Sequence, residues 1–220
     1  MDKNYFPHDI KITDAAELQE EFAEQLVLED KIPVAIKSIA GISVYSRGDQ
    51  INVSICILEP EPDFTDFKVK EKEVITKKAK FPAVPAFEGF RDGKIIVDAL
   101  KRLGVPQLLI IEGHGIDHPR GFGLASHIGL ALDCSTIGVS QDLLGGDVKS
   151  QGGQEFVLKD GEILAKVVKK EVGSPKFYVS PGNKITLDTA SKLIKKSMVS
   201  KVPEPIKIAK SNLLKEMTQP

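Results

Sequence analysis

The residues best equipped for chemistry lie in one stretch, Glu112-Gly113-His114-Gly115-Ile116-Asp117-His118-Pro119-Arg120. An apolar run, Leu108-Leu109-Ile110-Ile111, ends in the carboxylate of Glu112, and a glycine-rich turn then presents two histidines and an arginine. Ligands in α/β sheets gather beyond the carboxyl ends of strands, so Glu112 stands where a metal-binding or catalytic carboxylate belongs. His114, His118 and His127 are three of the chain's four histidines. Imidazole with carboxylate is a usual zinc donor set, which makes zinc one reading and ordinary hydrogen-bonded histidines the other. No cysteine neighbours the turn, the helical H-E-x-x-H spacing is absent, and no serine sits in a G-x-S-x-G elbow. Signatures of a zinc hydrolase and of a serine hydrolase are therefore both lacking.

The elements around this turn follow from hydrophobic period. Residues 14–30 place Leu18, Phe22 and Leu26 four apart among acids, an amphipathic helix. Residues 34–45 and 50–58 are strand-like around the turn Arg47-Gly48-Asp49, and 67–80 is a third, lysine-studded strand. Phe81-Pro82-Ala83-Val84-Pro85 carries two prolines and can be neither helix interior nor central strand. Helix (91–103), buried strand (108–111), small-residue helix (121–132) and strand (135–140) then alternate. Strands at 155–158 and 163–168 flank Lys159-Asp160-Gly161-Glu162, a strand at 176–179 follows, and Thr186 caps a helix over 186–197. Hairpin-joined strands followed by helix–strand alternation predict an α/β fold with a mixed sheet. Three antiparallel strands come first and parallel strands after, with helices on both faces. The organisation expected is a single domain over 1–220, closed by a lysine-rich helical tail at about 203–220.

Composition narrows the function classes. The chain has 220 residues, 41% hydrophobic and 28% charged, enough for a substantial core. Apolar runs fall far short of the ~20 residues of a membrane span, and no secretory leader is legible in residues 1–10. Cys56 and Cys134 lie far apart in apolar runs, so a disulfide scaffold is not expected and a reducing cytoplasm is. The net charge of −1 conceals a segregation: residues 1–30 carry nine acids, residues 176–220 carry nine lysines, and residues 68–80 carry six lysines. Such tracts are either solvated faces or the lysine tracks that backbone-directed nucleic-acid binding requires.

The run from Glu112 to Ser140 closely resembles the endonuclease V family, whose members read D-G-H-G-x-A-H-P-R-x-x-G-x-A-S-H-x-G and then P-T-I-G-V-A-K. Four further blocks stand in the family's order. Ala40-Gly41-Ile42-Ser43-Val44 is similar to its first strand. Residues 84–92, Val-Pro-Ala-Phe-Glu-Gly-Phe-Arg-Asp, resemble P-Y-I-P-G-x-L-x-F-R-E. Residues 179–185 resemble S-P-G-H-x-I, and 202–207 resemble P-E-P-x-R. The resemblance covers roughly residues 10–210. It implies an RNase H-like fold and hydrolysis of a phosphodiester near deoxyinosine in DNA, or inosine in RNA, with Mg²⁺ or Mn²⁺ held by clustered acids. It also implies a nucleic-acid partner whose hypoxanthine is flipped into a pocket while a wedge residue fills the stack.

Carried over position by position, the resemblance assigns Asp92 and Glu112 as catalytic metal ligands, one methylene shorter and one longer than the family's residues. The first-strand aspartate falls on Ser43, which offers a metal no charge. The histidine of S-P-G-H falls on Asn183, a catalytic position that can hydrogen bond but cannot titrate near neutrality. The wedge tyrosine falls on Ala83, two residues after Phe81, and the lysine after I-G-V falls on Gln141. Pro85, Gly113, His114, Gly115, His118 and Arg120 retain the family's residues and complete the substrate-binding set. Asp49, Glu88 and Asp117 are candidate substitutes for the acid absent at Ser43. Two function classes follow: a metal-dependent endonuclease of DNA repair, or a catalytically impaired homologue that binds nucleic acid without cleaving or acts on another phosphate substrate. A third acid converging on Asp92 and Glu112 favours the first. A lysine or apolar side chain filling that gap removes the metal site.

Overall fold

The computed structural model describes residues 4–218. Helix α1 (Ile12–Ala23) is followed by β1 (Ile39–Arg47), β2 (Gln50–Pro60) and β3 (Phe67–Lys78). Next come α2 (Glu88–Leu103), β4 (Leu108–Glu112), α3 (Leu124–Leu132) and β5 (Ser135–Ser140). Strands β6 (Asp147–Gln151), β7 (Gln154–Lys159), β8 (Glu162–Val168) and β9 (Phe177–Asn183) precede α4 (Leu187–Ser197) and α5 (Glu204–Met217). The strands form one nine-stranded sheet in the order β3-β2-β1-β4-β5-β9-β8-β7-β6. Only β1, β4 and β5 run parallel; β2 and β3 are antiparallel on one side, and β9, β8, β7 and β6 on the other. The parallel strands are thus the centre of the sheet, with antiparallel strands on both sides of them.

Burial alternates along the central strands and decides which helix each residue meets. Leu108 and Ile110 pack with Ile194 of α4 and Ile206 and Ala209 of α5. Leu109 and Ile111 pack on the other face with Ile96 and Leu100 of α2 and Ile128 of α3. By the same parity Glu112 leaves β4 towards the α5 side. In β1, Ile39 packs on that side, and a Cβ on Gly41 would strike the backbone of Pro205 at the start of α5. Ser43, two residues on, therefore faces α5 as well.

Several boundaries differ from their periodicity for local reasons. The first helix stops at Ala23 although Leu26 continues its stripe, because the backbone beyond it finds other partners. Val27 N–H donates to the side-chain oxygen of Asn183 at 3.0 Å, and Lys31 N–H donates to the Lys184 carbonyl at 3.1 Å. Strand β6 was not anticipated. All five of its residues are exposed, so it has no apolar alternation. Its signal was the turn that follows, Gly152-Gly153, with φ of 59° and 77°, the left-handed pair that a two-residue hairpin requires. Helix α5 is no free tail: Ile206, Ala209 and Leu213 are buried in it.

Candidate active site

At the carboxyl ends of β1 and β4 a groove of about 270 Å³ is lined by Glu88, Arg91, Asp92, Glu112, His114 and His118, among others. Glu112 enters from the sheet. Its Oε2 accepts a short hydrogen bond from the Ser43 hydroxyl, and its Oε1 lies 2.7 Å from the Lys210 ammonium of α5. Asp92 comes from the buried face of α2. Its Oδ1 has no hydrogen-bond partner, and Arg91 Nε stands 3.9 Å away without donating. Burial raises the Asp92 pKa to about 6, Arg91 opposing and Glu88 reinforcing the shift.

The turn after β4 is braced from within. Asp117 is buried and accepts from Gly115 N–H at 2.9 Å and from the Ser180 hydroxyl at 2.5 Å. His114 Nδ1 lies 3.0 Å from its other oxygen. Gly115 is obligatory, since a Cβ there would strike the Pro181 carbonyl. His118 accepts Arg120 N–H on Nδ1 at 3.2 Å and donates from Nε2 to the Ala86 carbonyl at 2.9 Å, which makes it the neutral Nε2–H tautomer. The same carbonyl accepts from Gln19 Nε2 and from Arg120, each at 3.0 Å. Arg120 also donates to Gln19 Oε1 at 2.6 Å and lies 4.4 Å over the Phe87 ring. Ala86 has φ 68°, a strained turn for a residue with a Cβ, and the three donors hold it there. Gln19, Ala86 and Lys210 were not singled out in the sequence. Their contacts span 67 and 98 residues for Gln19–Ala86 and Lys210–Glu112, beyond any local spacing rule.

The three clustered histidines diverge. His127 is fully buried, stacked 4.7 Å from Phe6 and edge-on to Phe90 at 4.8 Å, with Nε2 donating to the Tyr5 carbonyl at 2.6 Å. Burial lowers the pKa of both His118 and His127 to about 4. Among the described residues, no group of three or more His, Cys, Asp or Glu side chains could hold a metal ion. A zinc site is therefore not assembled.

A profile of the endonuclease V family matches residues 20–211. The chain belongs to the endonuclease V family. It is 35% identical over 202 residues to endonuclease V of Dictyoglomus turgidum, covering 89% of this chain and 86% of that one. It is 33% identical over 193 residues to endonuclease V of Ignicoccus hospitalis, covering 87% and 89%. Its fold is similar to the crystal structure of human ENDOV, with a TM-score of 0.84, 21% identity and coverage of 94% and 98%. It is also similar to Ciona intestinalis endonuclease V, solved with a 24mer DNA containing an inosine followed by a ribo-adenosine. There the TM-score is 0.79, with 24% identity and coverage of 94% and 97%.

Endonuclease V relatives are metal-dependent nucleases, and the residues here do not supply the donor set that such chemistry needs. Ser43 and Lys210 occupy both oxygens of Glu112. Of the three substitute acids, Glu88 lines the groove with Asp92 and Glu112, and the other two are engaged elsewhere. Asp117 is inside the turn, Asp49 stands 3.7 Å from Lys78 on the exposed hairpin, and Glu88 accepts from Ala86 N–H at 3.2 Å. Asn183 is not brought to the groove. Its register partner is Thr136 at the start of β5, whereas Glu112 aligns with Val139 near the end. Its amide donates to the Gly129 carbonyl at 3.0 Å and anchors α3 to β9. The structure brings Asp92, Glu112, Gly113, His114 and His118 to one groove, and Arg120 braces it from behind. Ala83 and Pro85 are exposed on the segment held at Ala86, and Gln141 is exposed after β5.

A larger cavity, about 640 Å³, lies between α4 and β8. Three of its five lysines are engaged: Lys192 with Asp188 at 2.6 Å, Lys169 with Glu155 at 3.3 Å, and Lys195 with the Lys170 carbonyl at 2.8 Å. It offers no acid–base pair for catalysis.

Among the described residues, no helix is long and apolar enough to cross a membrane. Cys56 and Cys134 are both free.

Proposed function

We propose that the chain acts on DNA at deoxyinosine, as an endonuclease V-like protein of DNA repair in the cytoplasm. The observation that carries this reading is the family's histidine–proline–arginine turn, intact and braced, whose His118 lines one groove with His114, Asp92 and Glu112. In this reading the turn 113–115 and His114 form the wall against which a flipped hypoxanthine sits. Ala83 and Pro85, on the segment clamped through Ala86, stand at the unstacked gap. Gln141 contributes an exposed amide directly after β5. Asn183 acts through α3 and β9 rather than on substrate. The family's chemistry calls for Mg²⁺ or Mn²⁺, and Asp92 and Glu112 stand at two of its ligand positions, but with Ser43 and Lys210 on the Glu112 oxygens these two acids fall short of a full donor set.

One observation favours a second reading, recognition without metal-assisted hydrolysis: Glu112 is already neutralised by Lys210 and bonded by Ser43. A deoxyinosine oligonucleotide, incubated with the full chain in Mg²⁺ or Mn²⁺ and titrated in parallel by anisotropy, separates the two. Cleavage abolished by Glu112→Gln supports the endonuclease. Retention of the oligonucleotide with no product in either metal supports recognition alone. No preference for deoxyinosine over deoxyadenosine in binding or cleavage overturns both.

A further inference from the structure

Lys210 is placed behind the groove, against its Glu112, by the packing of α5. Helix α5 is pinned to the sheet by Ile206, Ala209 and Leu213, by the Pro205 backbone over Gly41, and by Asn212 Nδ2 donating to the Ser54 hydroxyl at 3.1 Å. One residue after the buried Ala209, Lys210 emerges beside the carboxylate of Glu112, 2.7 Å from Oε1. The charge pattern around the two strand ends is complementary. The first-strand position holds the neutral Ser43, which donates to Glu112 rather than repelling it. Ser43, Glu112 and Lys210 together sum to zero charge. A hard dication is recruited by the excess negative charge of several oxygen ligands; that excess is absent at the two strand ends, and the groove's other acids, Asp92 and Glu88, lie by Arg91 and on the Ala86 N–H. An ammonium has three donors, and Glu112 takes one of them. The Lys210 side chain is half exposed, at 50%, so the remaining N–H groups are open to an incoming anion.

We propose that Lys210 is the resident cation of this groove. Its ammonium takes the place of a divalent ion at Glu112 and contacts a phosphate of the bound strand, so the chain grips deoxyinosine-bearing DNA without metal. This rests on the assignment of the groove to nucleic acid made above. Glu112 orients the ammonium, and Ser43 holds Glu112 in turn.

The test uses the full-length chain and a fluorescent deoxyinosine oligonucleotide, with Mn²⁺ as the metal probe. Affinity is expected to be the same in excess chelator as in Mg²⁺, and calorimetric titration with Mn²⁺ alone is expected to give no saturable binding. Lys210→Met should weaken the oligonucleotide by about 5- to 10-fold and lower the log–log salt slope by about one, with Lys210→Arg restoring both. Ser43→Asp combined with Lys210→Met returns an acid and removes the ammonium, and should gain saturable Mn²⁺ binding. The wild-type comparison of chelator with Mg²⁺ stands even if a variant fails to fold. Stoichiometric Mn²⁺ binding by the wild type that Glu112→Gln abolishes overturns the proposal, as does loss of oligonucleotide binding in chelator while the function assigned above survives. Absence of oligonucleotide binding under every condition overturns that function as well.

Discussion

His118 Nε2 donates to the carbonyl of Ala86 at 2.9 Å, across 32 residues of chain. This bond joins the turn after β4 to the two-proline segment before α2, the two pieces of chain that flank the groove. Because Gln19 and Arg120 donate to the same carbonyl, the segment is clamped from three directions. Its position is thereby tied to the histidine turn rather than left to a surface loop.

His118→Ala removes a buried donor and leaves the other two contacts. The expected cost is about 1–3 kcal/mol of stability, with faster proteolytic cleavage within residues 82–86. Urea unfolding and limited proteolysis check this. Unchanged stability and cleavage would show that Gln19 and Arg120 suffice.

Stability should fall on mild acidification. His118 and His127 are neutral in the fold with pKa values near 4, below the unfolded value of about 6.5. The unfolded chain therefore takes up protons first, and stability is lost from about pH 6.5 down to about pH 4. Asp92 acts oppositely: its pKa is raised to about 6, so acidification relieves a cost that it carries above that pH. At pH 5 the two histidines cost about 2 kcal/mol each and Asp92 returns about 1, a net loss of about 2–3 kcal/mol relative to neutrality. Urea midpoints at pH 7 and pH 5 measure it, and Asp92→Asn should deepen the loss. A flat profile contradicts the burial of the two imidazoles as neutral groups.

Gly41→Ala should be felt at the groove although Gly41 is in mid-strand. Its Cβ meets the Pro205 carbonyl, a backbone atom that cannot rotate away. Overpacking of this kind costs about 1–3 kcal/mol, and relief requires α5 to move, carrying Lys210 off Glu112. Thermal melts should show the loss. A backbone amide resonance shift at Glu112 should accompany it.

A basic strip continues from the groove. Arg91 lines both it and a neighbouring depression of about 330 Å³ with Lys77, Lys80, Lys94 and Arg102. Part of that charge is committed, Lys94 to Asp98 and Arg102 to Glu73, and exposed pairs of this sort are weak. Lys77→Ala with Lys80→Ala should weaken binding to any strand by about tenfold and shallow its salt dependence, without altering preference for deoxyinosine. A change in base preference would place these lysines nearer the base than the strip suggests.

The α/β architecture, the hairpin strands and the helix at Thr186 were legible because each is encoded by neighbouring residues. Thr186 illustrates this: it caps α4 by accepting from Thr189 N–H at 3.2 Å, three residues away. Strand β6 lacked an apolar face to betray it. The antiparallel placement of β9 beside β5 depends on pairing between distant segments.

The chemistry divides along the same line. Residue types alone determined that Ser43 offers no charge to a cation, that Asn183 cannot titrate, and that Glu112 ends a buried strand within a family-specific turn. Those are properties of single side chains and short spacings. Only the tertiary structure decided that Asn183 serves α3, that Asp117 is consumed inside the turn, and that Lys210 meets Glu112. Strand parity sends Glu112 towards α5, and α5 is placed by its buried stripe against Gly41 and the sheet. An ion pair separated by 98 residues has no local signature, because what brings its partners together is packing and not sequence proximity.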